Sequence, residues 1–229
     1  MRLHDWPDSL PGYLTAYLAW RADWLSRESL AGLLWPERTD ADAQRNLRVN
    51  LHRVRNVLQT LGLDHGFEAD RRRVRLRVAT DVAAFRAALG RADWQQATAL
   101  QHATLLGAFS FGGFALLEAW ALRERDALAA AWQAAALKYA VQAEQSGHAV
   151  QAAEVLLRLT DAGGTEDAVQ ALLRVAPAAG RVTRALAAYE RLGLQLHEEL
   201  GLTPAAETRQ LAHAIKGERL AGMPPCRMR

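Results

Sequence analysis

The chain has a single cysteine, Cys226. One thiol excludes an internal disulfide and a cysteine metal cluster, and its scarcity fits a reducing cytoplasm. No apolar run approaches the roughly 18 residues that span a bilayer, and residues 1–20 lack a signal-peptide layout, so no membrane partner is expected. No G-x-x-x-x-G-K-S/T run is present to cradle a nucleotide phosphate. The seven histidines (4, 52, 65, 102, 148, 197 and 213) show no ligand spacing. His197, Glu198 and Glu199 are adjacent on a helix and so point in different directions. The expectation is a cytoplasmic protein that is not an enzyme, with no catalytic residues, no metal site and no cofactor.

Lysine is also scarce, with only Lys138 and Lys216. Positive charge is therefore arginine, and its placement matters more than its identity. The formal net charge of +3 is unevenly spread. Between residues 45 and 77 lie nine arginines against Asp64, Glu68 and Asp70, a surplus of six. From 81 to 229 there are 15 basic and 15 acidic residues, a balance of zero. A basic head on a neutral body points to a polyanion-binding first part and a separate second part.

Within the head, Thr39 to Gly62 reads as one helix of about 20 residues, roughly 30 Å long. Thr39, Asp40 and Asp42 suit its start and Gly62 its end. Leu47, Leu51, Val54, Leu58 and Leu61 recur at helical steps and predict a buried face. Arg45, Arg48, Val49, His52, Arg53 and Asn56 share another face, and no acidic residue interrupts from Ala43 to Leu63. A helix apolar on one side and armed with Arg, His and Asn on the other suits a DNA groove. The competing reading is a solvated basic face.

Two shorter helices precede it. Gly12 to Ala22 carries Leu14, Tyr17 and Leu18, and the next begins at Ser26 as N-cap, buries Leu30, Leu33 and Leu34, and stops at Pro36. Trp35 reads as core. After Gly62 the period changes, with Val74, Leu76 and Val78 alternating with Arg73, Arg75 and Arg77. Phe67 to Ala69 is placed to pair with that strand, turning at Asp70, Arg71 and Arg72. All three strand arginines are expected to face outward, and five guanidinium groups would repel unless an anion meets them. An edge strand protected by charge is the alternative. Helix, helix, long helix and basic hairpin is the order of a winged helix, whose third helix enters the major groove while the hairpin meets backbone or minor groove.

Everything after Thr80 reads as helical, with glycines as punctuation. Gly147 to Ala152 and Gly180 to Ala185 place Gly and Ala five apart, 33 residues from copy to copy. Ala185 and Tyr189 then follow the small-then-aromatic spacing of a tetratricopeptide helix pair. A helical bundle with chance spacing is the alternative. The apolar loop Leu105 to Phe114 is expected to dock within the molecule, or else to offer Phe109, Phe111 and Phe114 to a partner.

The runs Ser26 to Pro36 and Arg45 to Arg55 resemble the DNA-binding core of SARP-type bacterial transcriptional activators. Thr80-Asp81-Val82 with Phe85, then Glu118, Trp120 and Arg125, then Glu198-Glu199-Leu200-Gly201-Leu202-Thr203-Pro204, resemble the bacterial transcriptional activator domain that follows it in those proteins. The resemblance spans roughly residues 13–216. It implies a mainly α fold: a winged helix-turn-helix domain of the OmpR/PhoB type over 1–80, then an α-helical tetratricopeptide-like domain over 81–216, with 217–229 a disordered tail. Family members usually open with a small antiparallel sheet, and about a dozen residues precede the first helix here, so the expectation is that the sheet is lost or the start shortened. The function implied is sequence-specific promoter recognition, with activation rather than repression as the expected sign. Candidate partners are double-stranded DNA, RNA polymerase and a second copy of the chain. The residues expected to contact DNA are Arg45, Arg48, His52 and Arg53 in the groove, with Val49 on the same face. Asn46 or Asn56 suits adenine, Arg55 a phosphate, and Arg71, Arg72, Arg73 and Arg75 serve as wing contacts. The alternative function is a tetratricopeptide-like scaffold whose basic head no longer binds DNA.

Overall fold

A computed structural model describes residues 8–100, 105–107 and 109–221. The head runs α1 (Leu10–Arg21), β1 (Leu25–Ser26), α2 (Arg27–Leu34), α3 (Asp40–Thr60), β2 (Phe67–Ala69) and β3 (Arg73–Leu76). Helices follow: α4 (Asp81–Gly90), α5 (Trp94–Leu100), α6 (Ala115–Gln145), α7 (Ala149–Asp161), α8 (Glu166–Ala179), α9 (Val182–Leu200) and α10 (Ala206–Ala221). This is the winged helix and tetratricopeptide-like array expected. His102 and residues 222–229 of the expected tail, Cys226 among them, lie outside the described residues. Residues 217–221, expected as tail, are helical and close α10. No helix among the described residues is long and apolar enough to cross a membrane.

Local chemistry sets the boundaries. Ser26 caps α2 by accepting a hydrogen bond from the Ser29 amide at 2.9 Å, and Thr39 caps α3 by accepting from Asp42 at 3.3 Å. Past α3, Gly62 takes φ +68°, and the Leu63 amide closes back on the Leu58 carbonyl at 2.8 Å. Gly66 admits no side chain, because a Cβ there would collide with the Arg77 carbonyl oxygen. That close approach lets the Arg77 amide bond to the Gly66 carbonyl at 2.9 Å, although the regular strand β3 ends one residue earlier than Arg77.

The chain divides into two compact units. One comprises Met1–Arg91 with Ala99–Ala129, and the other comprises Ala92–Thr98 with Ala130–Arg229. The first therefore reaches past residue 80, and its core shows why. Leu14, Leu18, Leu30, Leu47, Val54, Leu58, Val74 and Leu76 form one buried cluster with Leu106, Phe109, Phe111, Leu117 and Trp120. The 105–114 loop docks within the molecule, on α1. Tyr13 lies 5.2 Å from the Phe109 ring and 5.0 Å from Phe111, while Tyr17 meets Trp120 edge-on at 4.8 Å. Around them the Tyr13 hydroxyl donates to Asp8 at 2.6 Å, and the Ser110 amide donates to the same carboxylate at 3.1 Å. The hydrogen bond from Tyr13 is the largest influence holding the Asp8 carboxyl below its ordinary range. Phe111 is 2% exposed at φ +50°, a region a bulky residue rarely adopts, so packing must offset the strain.

In the second unit the repeat has a physical basis. Gly147 at φ +74° and Gly180 at φ +65° each adopt the left-handed turn that ends a helix, and Ala152 and Ala185 are fully buried where neighbouring helices approach. At the end of α9, Gly201 takes φ +66° and the Leu202 amide reaches the Leu196 carbonyl at 3.1 Å. The Ala205 amide then donates to Glu166 at 2.6 Å.

Phe111→Ala is expected to cost about 3–5 kcal/mol, as for other large-to-small core changes. Urea denaturation of the full chain reads it. A loss below about 1 kcal/mol would show that the loop does not complete the first unit's core.

Candidate nucleic-acid interface

α3 sorts its residues by side. Leu47, Val54 and Leu58 are fully buried and Leu51 nearly so, whereas Arg45, Arg48, Val49, His52, Arg53, Arg55 and Asn56 are exposed. From Arg45 to Asn56 the exposed row extends about 16 Å at the helical rise of ~1.5 Å per residue. Asn46 is half-buried, and its carbonyl accepts from the buried Asn50 side chain at 2.9 Å. Arg45 lies 3.8 Å from Asp42 with both side chains largely in solvent, a pairing of small worth that leaves the guanidinium free to exchange partners. Arg55 sits at the edge of the row, with its guanidinium 5.5 Å from the centre of the Phe67 ring. Val49 is the exception in kind: an apolar side chain, 48% exposed, among cationic and amide neighbours.

The hairpin departs from the sequence expectation in its electrostatics. The sheet has the order β1-β3-β2, with Leu25 opposite Val74, and Glu68 opposite Arg75. Antiparallel register therefore brings Trp24, just before β1, alongside Arg75. The Arg75 guanidinium lies 4.5 Å from the Trp24 ring centre and donates twice to Glu68, at 2.9 and 2.8 Å. Trp24, Arg75 and Glu68 thus form a row across the three strands. Arg75 takes the side of the strand opposite Val74 and Leu76, as alternation gives, but it is only 17% exposed because Trp24 and Glu68 cover it there. Arg73 also stacks on Trp24, at 4.9 Å, and lies 3.6 Å from Asp70.

At the turn, Asp70 accepts from the Arg72 and Arg73 amides at 2.7 and 2.6 Å. The anions that relieve repulsion among the arginines are thus partly supplied by the protein. The bidentate bond from Arg75 is the main reason the Glu68 carboxyl sits below its usual range. For Asp70 the main causes are the bonds from the Arg72 and Arg73 backbone amides. Arg71 and Arg72 project exposed at the tip. β1, Trp24 and the neighbouring Arg27 are the parts sequence reasoning missed. A two-residue strand is too short for any periodicity, and nothing local marks Trp24 as a partner for residues 50 positions away.

Both carboxyls are depressed in the folded state, so their contribution to hairpin stability is present above the ordinary carboxylate range and is lost as pH falls through the depressed folded values. Amide exchange of β2 and β3 should therefore stay slow to below the normal carboxylate range and then accelerate. Glu68→Gln should weaken protection at neutral pH and flatten that acid step. Equal protection in both proteins at every pH would remove Glu68 from this role.

The profile of the bacterial transcriptional activator domain matches residues 65–216, more than half of the chain. No curated protein matches by sequence. The fold is similar to that of Mycobacterium tuberculosis EmbR, solved in complex with a low-affinity phosphopeptide, with a TM-score of 0.58 and 20% identity. That likeness covers 93% of this chain, which spans 60% of the EmbR chain. The chain belongs to the bacterial transcriptional activator domain family.

Proposed function

We propose that this regulator binds double-stranded DNA sequence-specifically, reading the major groove with α3 and the backbone or minor groove with the β2–β3 hairpin. The single observation that carries the reading is the division of α3. Its apolar face is locked in the core, so the exposed row of Arg45, Arg48, His52 and Arg53 has one direction to face and no acidic neighbour among residues 43–63 to oppose it. Arg can grip guanine bidentately, Asn56 suits adenine, and Val49 suits the thymine methyl. Asn46 is a weaker candidate because it is half-buried. Arg55 fits a phosphate beside the helix, as Arg71, Arg72 and Arg73 do at the wing. Arg75, bonded to Glu68, serves the wing through its shape more than through free charge. The family supports activation as the sign of regulation, with RNA polymerase and a second copy of the chain as the partners to test. The rival is a scaffold whose basic head binds no DNA.

Selection of bound sequences from random DNA with the full chain separates the two, since a scaffold enriches no sequence. With a recovered fragment, Arg48→Ala should lower the magnitude of the salt slope by about 1 if the residue meets a phosphate, or relax one base position at a cost of about 1–3 kcal/mol if it reads guanine. Unchanged binding to every probe would sink the assignment of Arg48.

A further inference from the structure

An open cleft lies in the head between the start of α2, the first turns of α3 and the hairpin turn. Arg27, Arg71, Arg72 and Arg73 line it, with Gln44 of α3 on one wall. We propose that this cleft seats one phosphodiester group of the DNA backbone, with Arg27 as its central donor. This rests on the reading of the head as a DNA-binding module, and it adds a site outside the reading row of α3.

Several observations converge on that assignment. The half-buried Arg27 side chain lines the cleft, and its buried Nε has no hydrogen-bond partner among the described residues, so nothing in the fold neutralises this guanidinium. The acidic residues at the cleft do not meet it. Asp70 is occupied by the Arg72 and Arg73 amides and by the Arg73 guanidinium, and Glu28 is exposed and in no ion pair among the described residues. Arg27, Arg71 and Arg72 therefore have no carboxylate partner among the described residues. The walls are joined, because the Arg27 amide donates to the Arg72 carbonyl at 2.9 Å. Arg27 and the turn are thus held together before any ligand arrives, which reduces the ordering cost of binding.

The chemistry of the ligand follows from the donors and from the shape. Guanidinium groups present paired N–H donors at the spacing of two phosphate oxygens. The cleft is open, which suits a group on a long polymer more than an enclosed small anion. Gln44 lies one turn before Arg48 on α3, which puts one wall of the cleft at the N-terminal end of the helix that carries the reading row.

The test uses the full chain and a DNA fragment recovered from a random pool. Arg27→Gln should weaken binding to all sequences by a similar factor, lower the magnitude of the salt slope by about 1, and leave sequence preference unchanged. Arg27→Lys should restore the slope, which a loss of folding alone could not do. Single methylphosphonate linkages scanned along the fragment should reveal one position where neutralising the backbone weakens the wild-type protein but not Arg27→Gln. Equal slopes and identical scanning profiles for both proteins would overturn the cleft assignment while leaving DNA recognition intact. Failure of the folded wild type to bind any DNA would overturn both. Binding of a phosphoserine peptide that requires Arg27, alongside DNA binding that does not, would reassign the cleft and so refute the proposal.

Discussion

The head depends on the burial of one stripe along α3. Leu47, Leu51, Val54 and Leu58 pack against α1 and α2, and each fully buried side chain of this size contributes on the order of 1.5–3 kcal/mol before entropy is counted. The stripe also sets direction. A helix cannot rotate about its axis without exposing those leucines, so the opposite row of Arg, His and Asn is held outward. The loop 105–114 extends this core from far along the sequence. Its phenylalanines surround Tyr13 on α1, so the helix that packs on α3 is braced partly by residues that follow the hairpin.

Charge at the hairpin is managed rather than merely displayed. Arginines at alternate positions of a short strand would repel one another in isolation. Glu68 opposite Arg75, Asp70 at the turn and the Trp24 ring under Arg73 and Arg75 absorb much of that repulsion and give the hairpin a defined shape. Among the described residues the tip residues Arg71 and Arg72, with Arg27 beside them, have no carboxylate partner. A basic surface thus separates into arginines that build the wing and arginines that remain open to an anion. Net charge alone does not distinguish the two.

Much of the fold was legible because its signals are local and periodic. The 3.6-residue recurrence of Leu47, Leu51, Val54 and Leu58 specified both the helix and its buried side. Ser26 and Thr39 marked where two helices begin, and Gly147 and Gly180 marked the phase of the repeat. Val74 and Leu76 specified a strand through alternation. The same alternation misled for Arg75, because period two tells which side of the sheet a residue takes and not what already occupies that side.

The sequence by itself determined the order of elements, the buried face of α3 and the concentration of positive charge between residues 45 and 77, because each is written in neighbouring residues. Only the tertiary structure decided that β1 joins the sheet, that Trp24 stacks on Arg73 and Arg75, that Glu68 occupies Arg75, and that Arg27 stands with the hairpin tip. Those pairings join residues up to about 50 positions apart through strand register, and register is fixed by cross-strand hydrogen bonds and shared burial, which no local pattern encodes.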